Sequence, residues 1–423
     1  MSTLQINSAA RSLGREEQIR AAVLSVFCDP VPEECSRLKR LSGAEWRRLL
    51  PWLDTSGLAL YFLDRVSELG WCHWLPLSVL ARLRENLIDN AERTRSMIAE
   101  SNAIHLDFQN AKLRYATLKG FSLWPCSVPK LDLRSQLDLD FLTAPECAAE
   151  ARRILEGRGY RLQAVSGRSW EFKTADVPSR SRKDLYKAAR SRCVELHLDA
   201  TAQSRSSPLA RVEMREFHGT SIPVLCPTDL LLGQGLHLYK HVCSEFLRAA
   251  HVVEFRRHVL ARRDDSDFWA EVRSIAGEES RTRWALGVAT LLVTRSTGEF
   301  APEALSSWTV DRLPASVRLW VELYGCRSAL AHFPGSKLYL FLQREVELAG
   351  FPAKRPLRQA LLPLRLPPSI VPHTANQSLP VRIRCLSLQI HFILFRLRFH
   401  ASEGCRYFLE SFRWRRRIEG LAR

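Results

Sequence analysis

The chain has 423 residues, too many for one simple core, and its 46% hydrophobic and 25% charged content is that of an ordinary folded soluble protein. A net charge of +17 points to an anionic partner such as nucleic acid, nucleotide phosphates or an acidic surface. The 11 cysteines form no C-x-x-C pair, which argues against a zinc ribbon and for reduced thiols in a cytoplasmic protein; no signal peptide and no membrane-spanning run is evident.

In chain order, residues 16–113 are predicted to be helical. Leu80, Leu83, Leu87, Met97 and Ile104 recur at helical intervals, so a long amphipathic helix should end near Lys112. "RYATLKGFSLW" then gives a short β-prone run, the pair Lys119-Gly120, and a helix start. "RSQLDLDFLT" reads as a strand, and "APECAAEARRILEGRGY" as a helix with Pro145 in its first turn and Gly157 and Gly159 at its end. "RLQAV" is a further strand.

A polar, basic excursion follows. Between Arg168 and Arg192 it holds eight Lys+Arg with Trp170 and Tyr186 interleaved, and it reads as a loop over the site rather than as a grip on RNA. "VELHLDA" returns to strict alternation. The result is an α+β core over residues 114–226, with residues 1–113 as an N-terminal helical region. Residues 227–350 are predicted to be helical again, with Thr228 and Asp229 as caps. The proline-rich linker and tail, residues 351–423, carries 14 Lys+Arg against 3 Asp+Glu, which is 11 of the 17 net positive charges. Within it, "VRIRCLSLQIHFILFRLRF" is expected to be a helix packed on the catalytic domain, with a membrane-surface helix as the alternative.

The chemistry concentrates on two strands. Asp138 and Asp140 share one face while Leu137, Leu139 and Phe141 share the other, because strand residues alternate. On the second strand Glu195, His197 and Asp199 share a face. Were the two strands neighbours, Glu195 would complete a three-carboxylate cluster. Such hard oxygen ligands suit Mg²⁺ or Mn²⁺ carrying a triphosphate. The bland alternative for D-x-D is a solvated edge strand. Gly120, with no side chain, lets backbone approach a phosphate, and Lys119, Ser122 and Arg134 would add a cation, a hydroxyl and a second cation. His237 and His241 stand at i, i+4, a spacing that can hold zinc, yet with no H-E-x-x-H glutamate they are read as core or interface histidines.

The segments "TLKGFSLW", "RSQLDLDFL", "ILEGRGY" and "VELHLDA" resemble, in order, the pattern LKG…R…D-x-D…L-x-x-x-G-[YF]…V-E-[LI]-H. This pattern resembles that of the bacterial "nucleotidyltransferase family protein" group, uncharacterised members of the superfold shared with DNA polymerase beta. The resemblance extends over about residues 40–300. It implies Asp138, Asp140 and Glu195 as metal ligands and catalytic acids, Lys119 and Gly120 in nucleotide binding, and Arg134 and His197 as supporting site residues. Leu137 stands where the group has a small residue, His251 where it often has aspartate, and Phe121 separates Gly120 from Ser122.

The expectation is thus a polymerase beta-like core flanked by helical regions. It would act as a metal-dependent nucleotidyltransferase using Mg²⁺ or Mn²⁺ and an NTP, expected to be ATP, on an unidentified acceptor. The alternative is an inactive member of the fold serving as a basic nucleic-acid- or partner-binding module.

Overall fold

The computed structural model describes residues 14–174, 185–187, 192–204, 206–245, 247–277, 280–332, 334–351, 356–363 and 379–421. The N-terminal region comprises α1 (Arg15–Ser25), α2 (Gly43–Ser56), α3 (Ala59–Glu68) and α4 (Leu77–Asn110), as the periodicity predicts. Local chemistry sets the limits of α2. The Ser42 hydroxyl accepts from the Glu45 amide at 3.3 Å, and the Glu45 carboxylate accepts from the Ser42 amide at 2.9 Å, so the two satisfy each other's free donors. Gly57, at φ +77°, closes the helix in a conformation that L side chains avoid.

A seven-stranded sheet forms the middle of the molecule. Its strands are β1 (Tyr115–Leu118), β2 (Asp138–Thr143), β3 (Arg161–Ser166), β4 (Ser169–Lys173), β5 (Cys193–Leu198), β6 (Val212–Phe217) and β7 (Thr220–Leu225), in spatial order β3-β4-β5-β2-β1-β7-β6. β5 runs parallel to β2 and β7 parallel to β1, while the remaining pairs are antiparallel. The fold is α+β with a mixed sheet.

Alternation decides what each face of the sheet meets. Leu139, Phe141, Val194 and Leu196 point into a core completed by Ile104 and Phe108 of α4 and by Ala151 and Leu155 of α5 (Ala148–Gly157). Full burial of each such side chain contributes about 1.5–3 kcal/mol, which fixes the register and leaves the intervening acids on the opposite face. The N-terminal part of α4 serves a second core. Val79, Leu80 and Leu83 join the residues of α1–α3 there, together with Leu133, Tyr186, Ala249, Ala250, Val253 and Leu330.

Beyond the sheet come α6 (Pro227–Val242), α7 (Ala249–Ala261), α8 (Ser266–Gly277), α9 (Ser280–Thr297), several short helical turns, α10 (Tyr339–Leu348) and the 43-residue α11 (Leu379–Leu421). α6 and α9 pack closely at Gly235, where a Cβ would stand 2.5 Å from Leu286 Cδ2.

Three expectations need correction. Thr228 and Asp229 do not cap α6: the Thr228 hydroxyl donates to Glu271 at 2.7 Å, and Asp229 accepts from Arg211 at 2.8 and 3.0 Å. The first part of the basic excursion is a sheet strand, β4, because Phe172 alternates into the core while its neighbours face outward. Residues 175–184 and 188–191 of that excursion lie outside the described residues, as does most of the proline-rich linker. α11 packs on the C-terminal helices instead of the sheet: Tyr407 stacks on Phe341 with ring centroids 4.5 Å apart, and Trp414 lies over the same ring at 5.6 Å. No described helix is long and apolar enough to cross a membrane.

Candidate active site

β1 ends in an abrupt turn. Lys119 (φ 51°, ψ −153°) and Gly120 (φ 44°) are successive residues with positive φ, and for a lysine this backbone costs on the order of 1–3 kcal/mol. The turn is held by the Ser122 amide and hydroxyl, which donate to the Lys119 carbonyl at 2.8 and 2.7 Å. It aims Lys119 at the sheet face: its ammonium donates to Asp140 Oδ1 at 2.8 Å. Gly120 is favoured by its φ, and a Cβ there would stand 2.4 Å from Gln136 Nε2, so the end of that side chain would have to shift. That same Nε2 donates to the Asp138 carbonyl at 2.8 Å, so the turn and the start of β2 brace each other.

The parallel register sets Asp140 opposite Glu195 and Asp138 opposite Cys193. His197 joins the acids. Its Nε2 lies 2.9 Å from Asp140 Oδ1 and 3.2 Å from Glu195 Oε2. Asp140, Glu195 and His197 offer ligand atoms within 4.8 Å of one another, while Asp138 stands beside them in the adjoining cleft.

Charge is arranged unequally over the two aspartates. Burial, and then the neighbouring Asp140 charge, push the Asp138 carboxyl up to about 6. Burial opposes ionisation of Asp140 too, but the His197 hydrogen bond and the Lys119 ammonium outweigh it and hold that carboxyl at about 2. The hydrogen bond from His197 also lowers Glu195. Burial would lower His197, but its bonds to Asp140 and Glu195 raise it above the ordinary imidazole value.

Arg134 approaches from the segment before β2. Its Nε donates to Glu254 Oε1 of α7 at 3.1 Å, and Tyr61 OH of α3 donates to the same oxygen at 3.0 Å. The Arg134 carbonyl accepts from Asn90 of α4 at 3.2 Å. α7, backed by α3, therefore fixes the guanidinium, and α4 holds the backbone that carries it.

Lys119, Arg134, Asp138 and Asp140 line one wall of a cleft of about 300 Å³, and His237, His241, Arg248 and His251 line the wall facing it. Of the eight expected site residues, Lys119, Asp140, Glu195 and His197 cluster through His197 and Asp140, and Asp138 and Arg134 share the cleft with Lys119 and Asp140. Ser122 and Gly120 are buried in the turn, where the hydroxyl of Ser122 is engaged by backbone. Asp199 faces elsewhere, accepting from Thr201 and Ser207.

The donor set fits a hard divalent cation. Three carboxylates sit on one sheet face, and the countercharges now on Asp140, Lys119 and His197, are side chains able to move aside for one. Sequence reasoning missed the opposing wall. His237 and His241 were read alone, and His251 carried only the signal of a histidine where the resembled pattern has an acid.

A family model described as "Uncharacterised nucleotidyltransferase" matches residues 42–298. Among solved structures, the chain is similar to an antigenic nucleotidyltransferase-like protein from Paracoccidioides brasiliensis, at 10% identity and a TM-score of 0.30, over 51% of this chain and 97% of that one. A search of curated proteins finds no match. The family match covers more than half of the chain and takes in both aspartates, Glu195 and the facing helices: the chain belongs to the uncharacterised nucleotidyltransferase family.

Proposed function

We propose that the chain is a metal-dependent nucleotidyltransferase that moves a nucleoside monophosphate from an NTP, expected to be ATP, to an acceptor hydroxyl. The acceptor oxygen forms a bond to the α-phosphorus, the bond to the β-phosphate oxygen breaks, and pyrophosphate departs with the electron pair. The proton of the acceptor passes to a site carboxylate. The observation that carries this reading is the register of Asp140 against Glu195 at the mouth of a cleft that also holds Asp138, Lys119 and Arg134.

Asp138, Asp140 and Glu195 would hold Mg²⁺ or Mn²⁺, which neutralises phosphate charge and activates the attacking hydroxyl. His197 orients Asp140 and Glu195. Lys119 and Arg134 bind phosphate oxygens, and Gly120 with Ser122 shapes the turn that delivers Lys119. The 11 cysteines are all free thiols, which suits the proposed cytoplasmic setting.

One observation favours the alternative of an inactive binding module: Lys119 and His197 already neutralise Asp140 internally. Nucleotide binding and turnover with Mg²⁺ or Mn²⁺ separate the two readings. Metal-dependent triphosphate binding that the double variant Asp138→Asn/Asp140→Asn loses supports the enzyme. Two well-folded proteins that bind no nucleotide would refute it, and steeply salt-dependent nucleic-acid binding indifferent to that variant would favour the module.

A further inference from the structure

The wall facing the acids carries three imidazoles that the nucleotidyl-transfer reading does not use. His237 and His241 lie one turn apart on α6, and His251 comes from α7, which packs against it. Ring centroids are 4.4 Å apart for His237–His241, 5.0 Å for His237–His251 and 4.7 Å for His241–His251. Each ring offers one nitrogen such that all three lie within 4.8 Å of one another.

Packing alone is a poor account of this trio. Imidazoles in a core are ordinarily satisfied by hydrogen bonds, as His105 is by Tyr115 at 2.8 Å and His258 by Gln234 at 2.8 Å. In the trio, His251 Nδ1 is buried and has no hydrogen-bond partner among the described residues. An orphaned buried nitrogen is unfavourable, and the penalty is removed when that nitrogen gains a ligand or a hydrogen-bond partner.

We propose that His237, His241 and His251 bind a divalent transition metal of the zinc class, with the fourth coordination position open to the cleft. This site is separate from the carboxylate site and does not depend on the nucleotidyltransferase reading. The donor chemistry selects the ion: nitrogen ligands suit Zn²⁺ and its neighbours, whereas Mg²⁺ prefers oxygen. Zinc–nitrogen bonds of about 2.1 Å set ligand nitrogens roughly 3.4 Å apart in a tetrahedron, so modest side-chain rotation closes the ring onto an ion. Three histidines and one open position is also the arrangement that leaves room for water or an anionic oxygen.

Positive groups border the site, but Arg134 is countered by Glu254 and Lys119 by Asp140. Arg248 also lines this part of the cleft, and Lys240 acts on His237 from its own helix. A dication here thus favours an anionic oxygen as its fourth ligand.

The test uses the tag-free full chain, stripped of metal, titrated with Zn²⁺ against a chromophoric chelator and separately with Co²⁺. Native protein and Asp138→Asn/Asp140→Asn should each take up one equivalent of Zn²⁺. His251→Gln, folded by circular dichroism, should bind at least about 100-fold more weakly. The Co²⁺ form of the native chain should show the intense visible bands of a four-coordinate ion, a readout that needs no variant to fold. Absence of stoichiometric Zn²⁺ binding, a weak six-coordinate Co²⁺ spectrum, or binding lost with the aspartates and kept in His251→Gln would each overturn the proposal.

Discussion

The two walls of the cleft are built by different means. The strand wall draws its acids from β2 and its neighbour β5, where every second residue shares one sheet face and one hydrophobic decision, Leu139 and Phe141 inward, places Asp138 and Asp140 outward. The helix wall draws its histidines from α6 and α7, where a shared face depends on how two helices cross. Strand chemistry is therefore encoded in spacing, and helix-wall chemistry in packing. A site can be half visible in a sequence for this reason alone.

The sharpest way to break the comparison is to disable one wall and ask whether the other notices. Asp138→Asn/Asp140→Asn should lower nucleotidyl transfer by roughly 10³-fold or more, while Zn²⁺ uptake by the helix wall persists. A loss of both together would mean that the walls form one site.

Next in size is the strut between the walls. Glu254→Ala leaves the Arg134 guanidinium without its buried partner, a change of about 3–5 kcal/mol when one member of such a pair is removed. Urea denaturation should show an unfolding free energy lowered by that order; a value within about 1 kcal/mol of native would mean that solvent reaches Arg134 freely. Gly120→Ala should cost less, about 1–2 kcal/mol, from the strained φ, since the side-chain end of Gln136 is able to shift. Its signature is local: weaker triphosphate binding with the Zn²⁺ affinity unchanged.

The last prediction concerns buried imidazoles that have hydrogen-bond partners. Burial lowers His105 and His258 to about 4 each, so the folded chain keeps them neutral where the unfolded chain binds protons. Their contribution to stability is complete above about pH 6.5 and is lost as pH falls towards 4, by up to about 1.4 kcal/mol per pH unit for each histidine. Denaturation at about pH 7 and about pH 5 should show this slope, reduced in His105→Asn; an unchanged slope would mean that other groups set it.

What the sequence revealed follows from these differences. The helices of the N-terminal region, β1, β2 and β5, and the grouping of Asp138, Asp140, Glu195 and Lys119 were legible, because period-two and helical patterns are local. His197 was placed by resemblance and is found bonded to both acids. β4 was hidden in a run of basic residues, since only Phe172 of its five residues is fully buried. β6 was equally concealed, with both glutamates and Met214 facing outward. Ser122 was expected at a phosphate, and its hydroxyl donates to the Lys119 carbonyl in the turn, a contact that depends on φ at Lys119. Thr228 and Asp229 have the right composition for a cap, but Glu271 and Arg211 offered better partners, and neither was visible locally.

The core that gathers α1–α3 also has a consequence for how the chain is made. Trp52 donates to the Ala331 carbonyl across 279 residues, and Arg20 to the Leu330 carbonyl across 310. During synthesis the first helices emerge long before the residues that seal them. Until about residue 331 leaves the ribosome, the core that buries Trp46, Trp52 and Phe62 lacks the part supplied by Ala249, Ala250, Val253 and Leu330. A nascent chain in that condition is a natural client for a chaperone, and pausing translation before that point should raise its aggregation more than pausing after it.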